Sequence, residues 1–396
     1  MSRRSHRKEY KSGHEVRLLQ TGDEFFKVVE NVIDEAKSFI HFQTYILDED
    51  ETGIRIVNAL IRASGRGVRT YLLLDAFGTK YLSDEFIRSI ERAGILFRFF
   101  SPTLISRGYH LSLRLHSKVV LADGVTAIIG GMNFADRYRG TEKKKGWLDF
   151  AVVVKGPECV HLLDITKRLW NRPFLPRSER AREYVRNPLS FPDNISLRVL
   201  LNNWYRNKIE ILKGYRSAFR GANKRMIIFS GYFLPGRNER RLMKLASLRG
   251  VEIIIVLSAE SDAPVFERAT RFLYDYILRN NIKIYEYLPS NMHAKVATVD
   301  GKWCTVGSYN LNHLSDYGSV EINVAVHDEG FTGDFEEKLL SIIKNDCRQV
   351  TLEEYNRRRT AFSRLSGWTA YQIIRVLMRI MFFMTSKKNK ARQVKN

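Results

Sequence analysis

The sequence predicts an α/β fold built from two similar α-β-α domains, in each of which a mixed sheet is flanked by helices. The length of 396 residues is enough for two domains of ordinary size. Stretches with strand patterns alternate with amphipathic stretches of helical spacing, which is typical of sheets covered by helices. The same succession of patterns occurs twice along the chain, so we expect the second half to repeat the fold of the first.

The repeat is clearest in one pair of segments. LRLHSKVVLADGVTAIIGGMN (113–133) aligns with PSNMHAKVATVDGKWCTVGSYN (289–310). Both read His-x-Lys, four residues, Asp, a turn with a second short strand, then Gly, a small residue, any residue and Asn. The matched residues are His116, Lys118, Asp123, Gly130, Gly131 and Asn133 in the first copy and His293, Lys295, Asp300, Gly307, Ser308 and Asn310 in the second.

Other strand-like segments recur in the same order and extend the repeat on both sides of this motif. Helical stretches separate them, such as GIRIVNALIRASGR in the first half and NERRLMKLASLR in the second. The paired segments are 38–50 with 225–237 (Tyr45 opposite Tyr232), 67–79 with 250–262, 94–102 with 281–289, and 147–156 with 319–328.

The repeat sets the domain boundaries that we predict. Residues 1–15 form a basic tail, 16–172 the first domain, 195–348 the second domain, and 349–396 C-terminal helices. The connecting segment 173–194 is the linker. It carries four prolines, which make a continuous helix unfavourable; they are Pro173, Pro176, Pro188 and Pro192.

Composition narrows the class of partner. The net charge of +22 predicts a polyanionic partner, either nucleic acid or an anionic lipid surface. The three cysteines have neither metal-ligand nor disulfide spacing, which indicates a reducing compartment. The basic N-terminus lacks an apolar core, so we expect no signal peptide, and no uncharged apolar run is long enough to span a membrane.

The segment GWTAYQIIRVLMRIMFFM (367–384) is the nearest to a membrane element. Arg375 and Arg379 lie four residues apart and so on one helical face, apolar residues occupy the remainder, and KKNKAR follows. This pattern favours a helix in a membrane interface, with its basic residues at the lipid headgroups. The alternative is an amphipathic helix packed on the second domain.

The doubled His-x-Lys motif predicts an active site between the domains. Residues two apart on a strand point to the same side, so His116 accompanies Lys118 and His293 accompanies Lys295. Two such pairs can meet across a pseudo-twofold axis and form a pocket for a phosphodiester. One histidine can attack phosphorus while the other protonates the leaving oxygen, and the lysines can stabilise the developing charge.

Other residues of the repeat are expected to support this pocket. Asn133, Asn310 and the Ser308 hydroxyl can contact phosphate oxygens from neighbouring strands. Asp123 and Asp300 complete the motif and stand with the catalytic set, although their place at the end of a strand predicts an architectural role. The chemistry needs no metal or other cofactor, because the motifs lack carboxylate clusters and carry a lysine beside each histidine.

Two further carboxylates occupy equivalent strands, Asp149 in WLDFAVVV and Glu321 in SVEINVAV. An isolated carboxylate among apolar neighbours is costly. A hydrogen bond from an imidazole N–H would offset that cost and fix the histidine tautomer. The alternative is an exposed position at the edge of a sheet.

The paired motifs resemble the HKD signature of the phospholipase D superfamily over roughly residues 15–345. The chain is most similar there to bacterial cardiolipin synthases of the short type without N-terminal membrane spans, as QTYILDEDETG and IIGGMNFADRY also indicate. The resemblance implies transfer of a phosphatidyl group between two phosphatidylglycerol molecules, giving cardiolipin and glycerol. It also implies that His116 is the nucleophile and His293 the acid and base, paired with Glu321 and Asp149 of the opposite half.

The resemblance also implies partners and location. Anionic phospholipids (phosphatidylglycerol and cardiolipin) and the cytoplasmic face of a bacterial inner membrane are expected, without an obligatory protein partner. A phosphodiesterase of the same superfamily, either a phospholipase D or a nuclease, is the alternative, and a non-catalytic membrane-binding protein is less favoured because both motifs are intact. One departure is Gly131, where the family often has serine, so the two half-sites need not be equivalent.

Overall fold

The computed structural model describes residues 9–101, 113–141, 144–171, 175–185, 188–203, 206, 208–358 and 360–393. The elements of the first half are β1 (Lys11–Gln20), α1 (Asp23–Glu35), β2 (Phe39–Thr44), α2 (Glu51–Gly65), β3 (Arg69–Asp75), α3 (Asp84–Arg92), β4 (Leu96–Phe100), β5 (Arg114–Leu115), β6 (Lys118–Ala122), β7 (Thr126–Gly130), α4 (Asp136–Arg139), β8 (Phe150–Lys155) and α5 (Glu158–Trp170).

The second half repeats this succession after a short 3₁₀ turn at Arg177–Glu179. Its elements are β9 (Ile195–Asn203), β10 (Lys208–Ile209), α6 (Glu210–Gly221), β11 (Arg225–Ser230), α7 (Arg237–Leu248), β12 (Glu252–Ser258), α8 (Pro264–Phe272), α9 (Tyr274–Leu278), β13 (Lys283–Tyr287), β14 (Lys295–Val299), β15 (Trp303–Gly307), α10 (His313–Tyr317), β16 (Ser319–His327), α11 (Glu329–Asp346), β17 (Cys347–Val350), α12 (Leu352–Arg358) and α13 (Ala361–Gln393).

The strand order is the same in both halves, which confirms the predicted mixed sheets. The first half runs β1–β8–β7–β6–β2–β3–β4, with β2, β3 and β4 parallel and the others antiparallel. The second half runs β9–β16–β15–β14–β11–β12–β13 in the same sense, and β17 adds an antiparallel edge strand. Most central strands are buried on both faces and rich in Val and Ile, as expected for a sheet covered by helices.

The two sheets join into one large sheet through reciprocal strand contacts. Strands β1 and β9 pair antiparallel, while β5 of the first half pairs parallel with β16 of the second. A continuous apolar cluster crosses between the halves, where Phe150 meets Phe335 edge to face at 5.5 Å. Each half also has one apolar cluster of its own under its outer helices. The halves therefore share one interior, which fixes the groups at their junction.

The structure places several boundaries differently from the sequence prediction. Strand β1 begins at Lys11, and its first residues pair with β9 before the rest pairs with β8, so residues 11–15 belong to the joined sheet and not to the predicted tail. Strand β17 pairs with β13 as far as Val350, so the second sheet continues past residue 348. Hydrophobic spacing alone did not reveal these strands, since both are partly exposed and at least half of their residues are polar.

The described part of the linker packs back on the first half. Tyr71 donates a hydrogen bond of 2.5 Å to the Glu183 carboxylate, and the Trp170 indole donates to the Glu179 carbonyl at 2.8 Å. Within residues 175–185 and 188–194 the 3₁₀ turn is the only helical piece. This agrees with the proline-based expectation that no continuous helix forms there.

Helix α13 packs on the second domain along one side. Ala370 and Ile374 are buried in its apolar cluster, and Gly367 lies against α8. Another side exposes apolar side chains, including Phe362 (81% exposed) and Leu365 (62%). The structure therefore shows one side of this helix packed on the domain, and membrane binding through its exposed side stays a prediction. Among the described residues, no helix combines the length and the apolar character needed to cross a membrane.

Candidate active site

Each motif histidine lies just before a strand at the junction of the halves. His116 sits between β5 and β6, and His293 directly precedes the Ala294–Lys295 step into β14. The His116 backbone N–H donates to the Val320 carbonyl at 3.1 Å, and that of His293 donates to the Leu148 carbonyl at 2.8 Å. Each motif is thus held by the strand region that carries the carboxylate of the other half.

The carboxylates cross between the halves as the family resemblance implies. His116 Nδ1 lies 2.9 Å from Glu321 Oε2, and His293 Nδ1 lies 2.7 Å from Asp149 Oδ2. Both carboxylates are fully buried, so the exposed-edge alternative is excluded for them. Because Nδ1 of each ring is engaged, Nε2 is the nitrogen left for a reacting group.

The Glu321 half-site is rich in hydroxyl donors. Ser308 donates to Glu321 Oε2 at 2.5 Å, and Ser319 donates to Oε1 at 2.7 Å. Burial opposes ionisation of Glu321, but the neighbouring His116, Lys118 and the Ser308 hydroxyl outweigh it and lower the pKa of this carboxyl. Glu321 is therefore held as an anion that can accept the Nδ1 proton of His116.

The Asp149 half-site lacks such hydroxyls. A Cβ at Gly131 would overlap the Asp149 carboxylate, so the glycine leaves space for it. Phe150 donates its backbone N–H to Oδ1 at 2.8 Å, and Lys295 Nζ lies 3.7 Å from Oδ2. Burial raises the pKa of Asp149 to about 6, although Lys295 opposes the shift. The two halves of the site are chemically different.

The lysines lie beneath the histidines. Lys118 Nζ donates to the His116 carbonyl at 2.6 Å, and Lys295 Nζ donates to the His293 carbonyl. Burial, reinforced by the charge of Lys295, lowers the pKa of Lys118 to about 7, and burial also lowers the pKa of Lys295. Burial is again the main cause that lowers the pKa of both histidines, more strongly for His293.

Both histidines open onto one cavity of about 340 Å³. The amide of Asn133 accepts from the Ile46 N–H at 3.2 Å and donates to the Tyr138 hydroxyl at 2.7 Å. Asn310 accepts from the Tyr232 N–H at 3.4 Å, a similar contact one position earlier in the repeat. The lining includes Tyr45, Arg114, His116, Asn133, Arg137, Tyr138, Trp147, Tyr232, Phe266, His293, Asn310 and Ser319.

Asp123 and Asp300 lie outside the cavity. Asp123 has φ 54° and accepts backbone N–H groups of residues 37–39 at 2.8 to 3.0 Å. Asp300 has φ 57° and accepts those of residues 223–225 at 2.8 to 2.9 Å. Each aspartate connects a strand turn to the start of a neighbouring strand, and these contacts favour the predicted architectural role over a catalytic one.

Several lining residues were missed from the sequence. Tyr45 and Tyr232 meet the rings of His116 and His293 edge to face, with centroids 5.1 and 5.9 Å apart. Their alignment in the repeat was a usable signal. Tyr138 lies 3.4 Å from His293 Nδ1, but its counterpart in the repeat is Ser315, so no repeat-based signal marked it.

Among the described residues, no group of three or more His, Cys, Asp or Glu side chains is arranged to hold a metal ion. The segment 101–116, which leads into the first motif, falls mainly on residues 102–112, which lie outside the described residues. Its described end, Arg114, lines the cavity.

Solved structures share this fold at low sequence identity. Phosphatidylserine synthase from Haemophilus influenzae Rd KW20 matches with a TM-score of 0.69 and 15% identity over 97% of this chain and 96% of that protein. Polyphosphate kinase from Porphyromonas gingivalis matches with a TM-score of 0.57 and 14% identity, over 92% of this chain and 53% of that one. Both show the fold alone.

Sequence relatives show the family. Cardiolipin synthase B of Escherichia coli strain K12 is 33% identical over 350 residues, which cover 86% of this chain and 83% of that protein. Cardiolipin synthase B of Salmonella typhimurium strain LT2 is 31% identical over 378 residues, covering 92% and 89%. Residues 29–170 and 215–343 match the family described as cardiolipin synthase, PLD-like domain. The chain therefore belongs to this cardiolipin synthase family of phospholipase D-like proteins.

Proposed function

We propose that this protein is a phosphatidyltransferase that makes cardiolipin and glycerol from two molecules of phosphatidylglycerol. The observation that carries the proposal is the crossed arrangement, in which two histidine–carboxylate pairs from opposite halves open onto one cavity. A phosphodiester exchange needs a nucleophile on one side of phosphorus and a proton donor on the other. The names of the sequence relatives favour cardiolipin over other products.

In the first step, His116 Nε2 attacks phosphorus and the bond from phosphorus to the glycerol oxygen breaks. His293 gives its Nε2 proton to that oxygen, so glycerol leaves neutral. The low pKa of Glu321 supports His116 as the nucleophile, because an anionic carboxylate accepts the Nδ1 proton and leaves the Nε2 lone pair free. The lysines beneath the rings supply positive potential near the phosphoryl oxygens when they are protonated, which for Lys118 is below its pKa of about 7.

In the second step, His293 takes the proton of a terminal hydroxyl of the second phosphatidylglycerol. The resulting oxygen attacks phosphorus, the phosphorus–nitrogen bond to His116 breaks, and cardiolipin leaves. Water in place of the alcohol gives phosphatidic acid, which is the phospholipase D outcome. The partition between the two products depends on how far the lipid acceptor excludes water from the cavity.

Membrane lipids as substrates require the protein to work at a membrane surface. The net charge of +22 and the exposed apolar side of α13 support peripheral binding to anionic lipid. We place the protein on the cytoplasmic face of the inner membrane of a bacterium. Phosphatidylglycerol and cardiolipin are its proposed lipid partners, and nucleic acid is not.

The test is conversion of phosphatidylglycerol vesicles with chelator present, followed by mass spectrometry of the lipids. Wild type should form cardiolipin, and His116→Ala and His293→Ala should each lose activity by at least about 10³-fold. His327→Ala, an exposed histidine outside the cavity, is the matched control and should retain activity. Phosphatidic acid as sole product would establish the hydrolase, and nicking of plasmid DNA instead would establish the nuclease.

The order of the histidines has a separate test. Rapid quenching in alkaline denaturant should leave a phosphatidyl adduct on the peptide that contains His116. An adduct found on the peptide that contains His293 would reverse the two roles without changing the reaction.

A further inference from the structure

A second cavity, of about 300 Å³, lies behind the wall of the active site. Helix α10 separates the two. Its His313 and Tyr317 face the second cavity, while Leu314 and Ser315 face the catalytic one. The complete lining is Leu234, Pro235, Gly236, Arg237, Arg240, His313, Tyr317, Tyr371, Ile374 and Arg375.

The charge of this lining is unusual. It contains three arginines and no carboxylate. The acidic residues on the same helices lie close to the cavity but are already paired. Glu239 of α7 pairs with Arg216 at 2.6 Å, and Asp316 of α10 lies 3.1 Å from Nδ1 of the lining residue His313 and accepts from the Tyr309 hydroxyl at 2.5 Å. The cavity therefore carries net positive charge, which favours an anionic ligand.

Two of the arginines that line the cavity have guanidinium groups that are only partly satisfied by the protein. The Nε atoms of Arg240 and Arg375 are buried and have no hydrogen-bond partner among the described residues. Arg240 makes one hydrogen bond, from its guanidinium to the Tyr371 hydroxyl at 3.3 Å. A buried donor without a partner is costly, and a phosphate oxygen is a geometric match for guanidinium groups.

Another arginine-lined cavity in the protein shows the contrast. It measures about 390 Å³ and lies between α8, α12 and the start of α13. There, Arg271 pairs with Glu267 at 3.0 Å and Arg348 pairs with Glu286 at 2.7 Å. Internal carboxylates satisfy those arginines. The lining of the second cavity, which lies between α7, α10 and α13 and is called the α7–α10–α13 cavity, offers none.

Part of the remaining lining of the α7–α10–α13 cavity is apolar. Leu234, Pro235 and Ile374 are buried and Tyr371 is half-buried. A ligand with carbon next to its anionic group could therefore place the carbon against these side chains and the anionic group against the arginines. We propose that this cavity is an accessory binding site for a phosphate-bearing group, such as the headgroup of an anionic phospholipid. Arg237, Arg240 and Arg375 bind the phosphate. The site is distinct from the catalytic cavity and does not depend on turnover there.

The test is calorimetry with full-length protein that carries His116→Ala, which prevents turnover. The probes are dihexanoyl phosphatidylglycerol below its micelle concentration and inorganic phosphate. We expect two lipid sites per chain. Arg240→Gln and Arg375→Gln should weaken one of them at least tenfold, and Arg364→Gln, on α13 but outside this cavity, should leave both unchanged.

Arg237→Gln guards against a folding artefact, because Arg237 is exposed and its replacement disturbs no packing. It should weaken the same site severalfold with an unchanged melting temperature. Lipid binding without phosphate binding identifies a lipid headgroup as the ligand, and equal binding of both identifies free phosphate. Identical isotherms for the background and all three cavity variants would overturn the proposal. The binding experiment does not require the protein to make cardiolipin. Failure of the proposed activity can therefore be distinguished from failure of the accessory site.

Discussion

At the scale of the residue, the difference between Gly131 and Ser308 sets the character of each half-site. Ser308 donates to Glu321, whereas the equivalent space at Gly131 is filled by the carboxylate of Asp149. The pKa values of the two acids at these positions are shifted in opposite directions. The pKa of Glu321 is lowered despite its burial, and burial raises the pKa of Asp149. The histidines consequently have different electrostatic partners and are suited to different roles.

Replacing Gly131 with serine should therefore impair the enzyme although serine is common in the family. The new Cβ overlaps Asp149 and displaces its carboxylate from His293. We expect about 10²-fold lower transfer activity and a loss of about 1–3 kcal/mol in the free energy of unfolding. Vesicle assays and urea unfolding measure the two effects.

The matched control is Ser308→Gly, which removes a donor but creates no overlap. It should lower activity less than Gly131→Ser does. Equal activity of Gly131→Ser and wild type would show that the space at Gly131 has no functional importance.

Lys118 should leave a signature in the pH dependence of stability. Burial of its amine, reinforced by the charge of Lys295, lowers its pKa to about 7 from the ordinary lysine value of 10.5. Above pH 7 the unfolded chain holds a proton there that the folded chain has lost, so this group makes stability rise with pH. The gain is at most about 1.4 kcal/mol per pH unit between pH 7 and 10.5.

The measurement compares wild type with Lys118→Met by urea unfolding at pH 7 and pH 9.5. The free energy of unfolding of wild type minus that of the variant should increase by about 2–3 kcal/mol from pH 7 to pH 9.5. A difference between the two proteins that stays constant with pH would contradict the low pKa of Lys118.

At the scale of the element, the motif aspartates connect neighbouring strands through hydrogen bonds. Asp123 occupies the turn between β6 and β7 and binds the backbone where β2 begins, and Asp300 repeats this between β14, β15 and β11. A positive φ at each position adds a conformational demand that Asp tolerates better than most residues.

Asp123→Ala should lower stability by about 1–3 kcal/mol, because three backbone N–H groups lose their acceptor. The activity of the remaining folded protein should stay within about threefold of wild type. Asp123→Asn is the control and should recover part of the stability. Loss of turnover at an unchanged melting temperature would instead assign Asp123 a catalytic role.

Helix α13 should bind membrane through its exposed side while its other side stays packed on the domain. The triple substitution of Phe362, Leu365 and Ile373 by serine removes exposed apolar surface and leaves Ala370 and Ile374 in place. We expect at least tenfold weaker flotation with phosphatidylglycerol vesicles, since burial of such side chains contributes about 1.5–3 kcal/mol each.

The control for α13 is Leu248→Ser, an exposed leucine at the end of α7. It should float like wild type. Unchanged flotation of the triple variant would show that α13 has only its packing role.

At the scale of the whole molecule, the duplication builds a single site from two incomplete halves. Each half supplies a histidine–lysine pair and the carboxylate for the other histidine. Strand pairing across the junction, between β1 and β9 and between β5 and β16, holds these groups in register. Neither half carries both members of a pair, so the fold links catalysis to the docking of the two halves.

A double-mutant cycle on the free energy of unfolding measures this crossing. His116→Ala and Glu321→Gln should show a coupling energy of about 0.5–3 kcal/mol, because the residues share a hydrogen bond. His116→Ala with Asp149→Asn, the acid of its own half, should be additive within about 0.5 kcal/mol. Coupling of His116 to Asp149 and not to Glu321 would contradict the crossed arrangement.

The sequence by itself determined the duplicated α/β fold and the residues of the motif. Periodic strands and helices, repeated in the same order, are local patterns that persist whatever the tertiary packing. The same is true of His116, Lys118, His293 and Lys295, because their spacing is written twice. The starts and ends of strands β1 and β17 were not predicted, because partly exposed strands with many polar residues show no regular alternation of apolar residues.

Only the tertiary structure decided the contacts that neither the repeat nor the family resemblance marks. Tyr138 enters the site from a short helix without a matching residue in the second half, and Gly131 has its meaning only through the nearby carboxylate of Asp149. The two sides of α13 were likewise separated by packing on α8 and not by composition. Contacts between residues far apart in the chain depend on how the two sheets join, and hydrophobic periodicity carries no information about that junction.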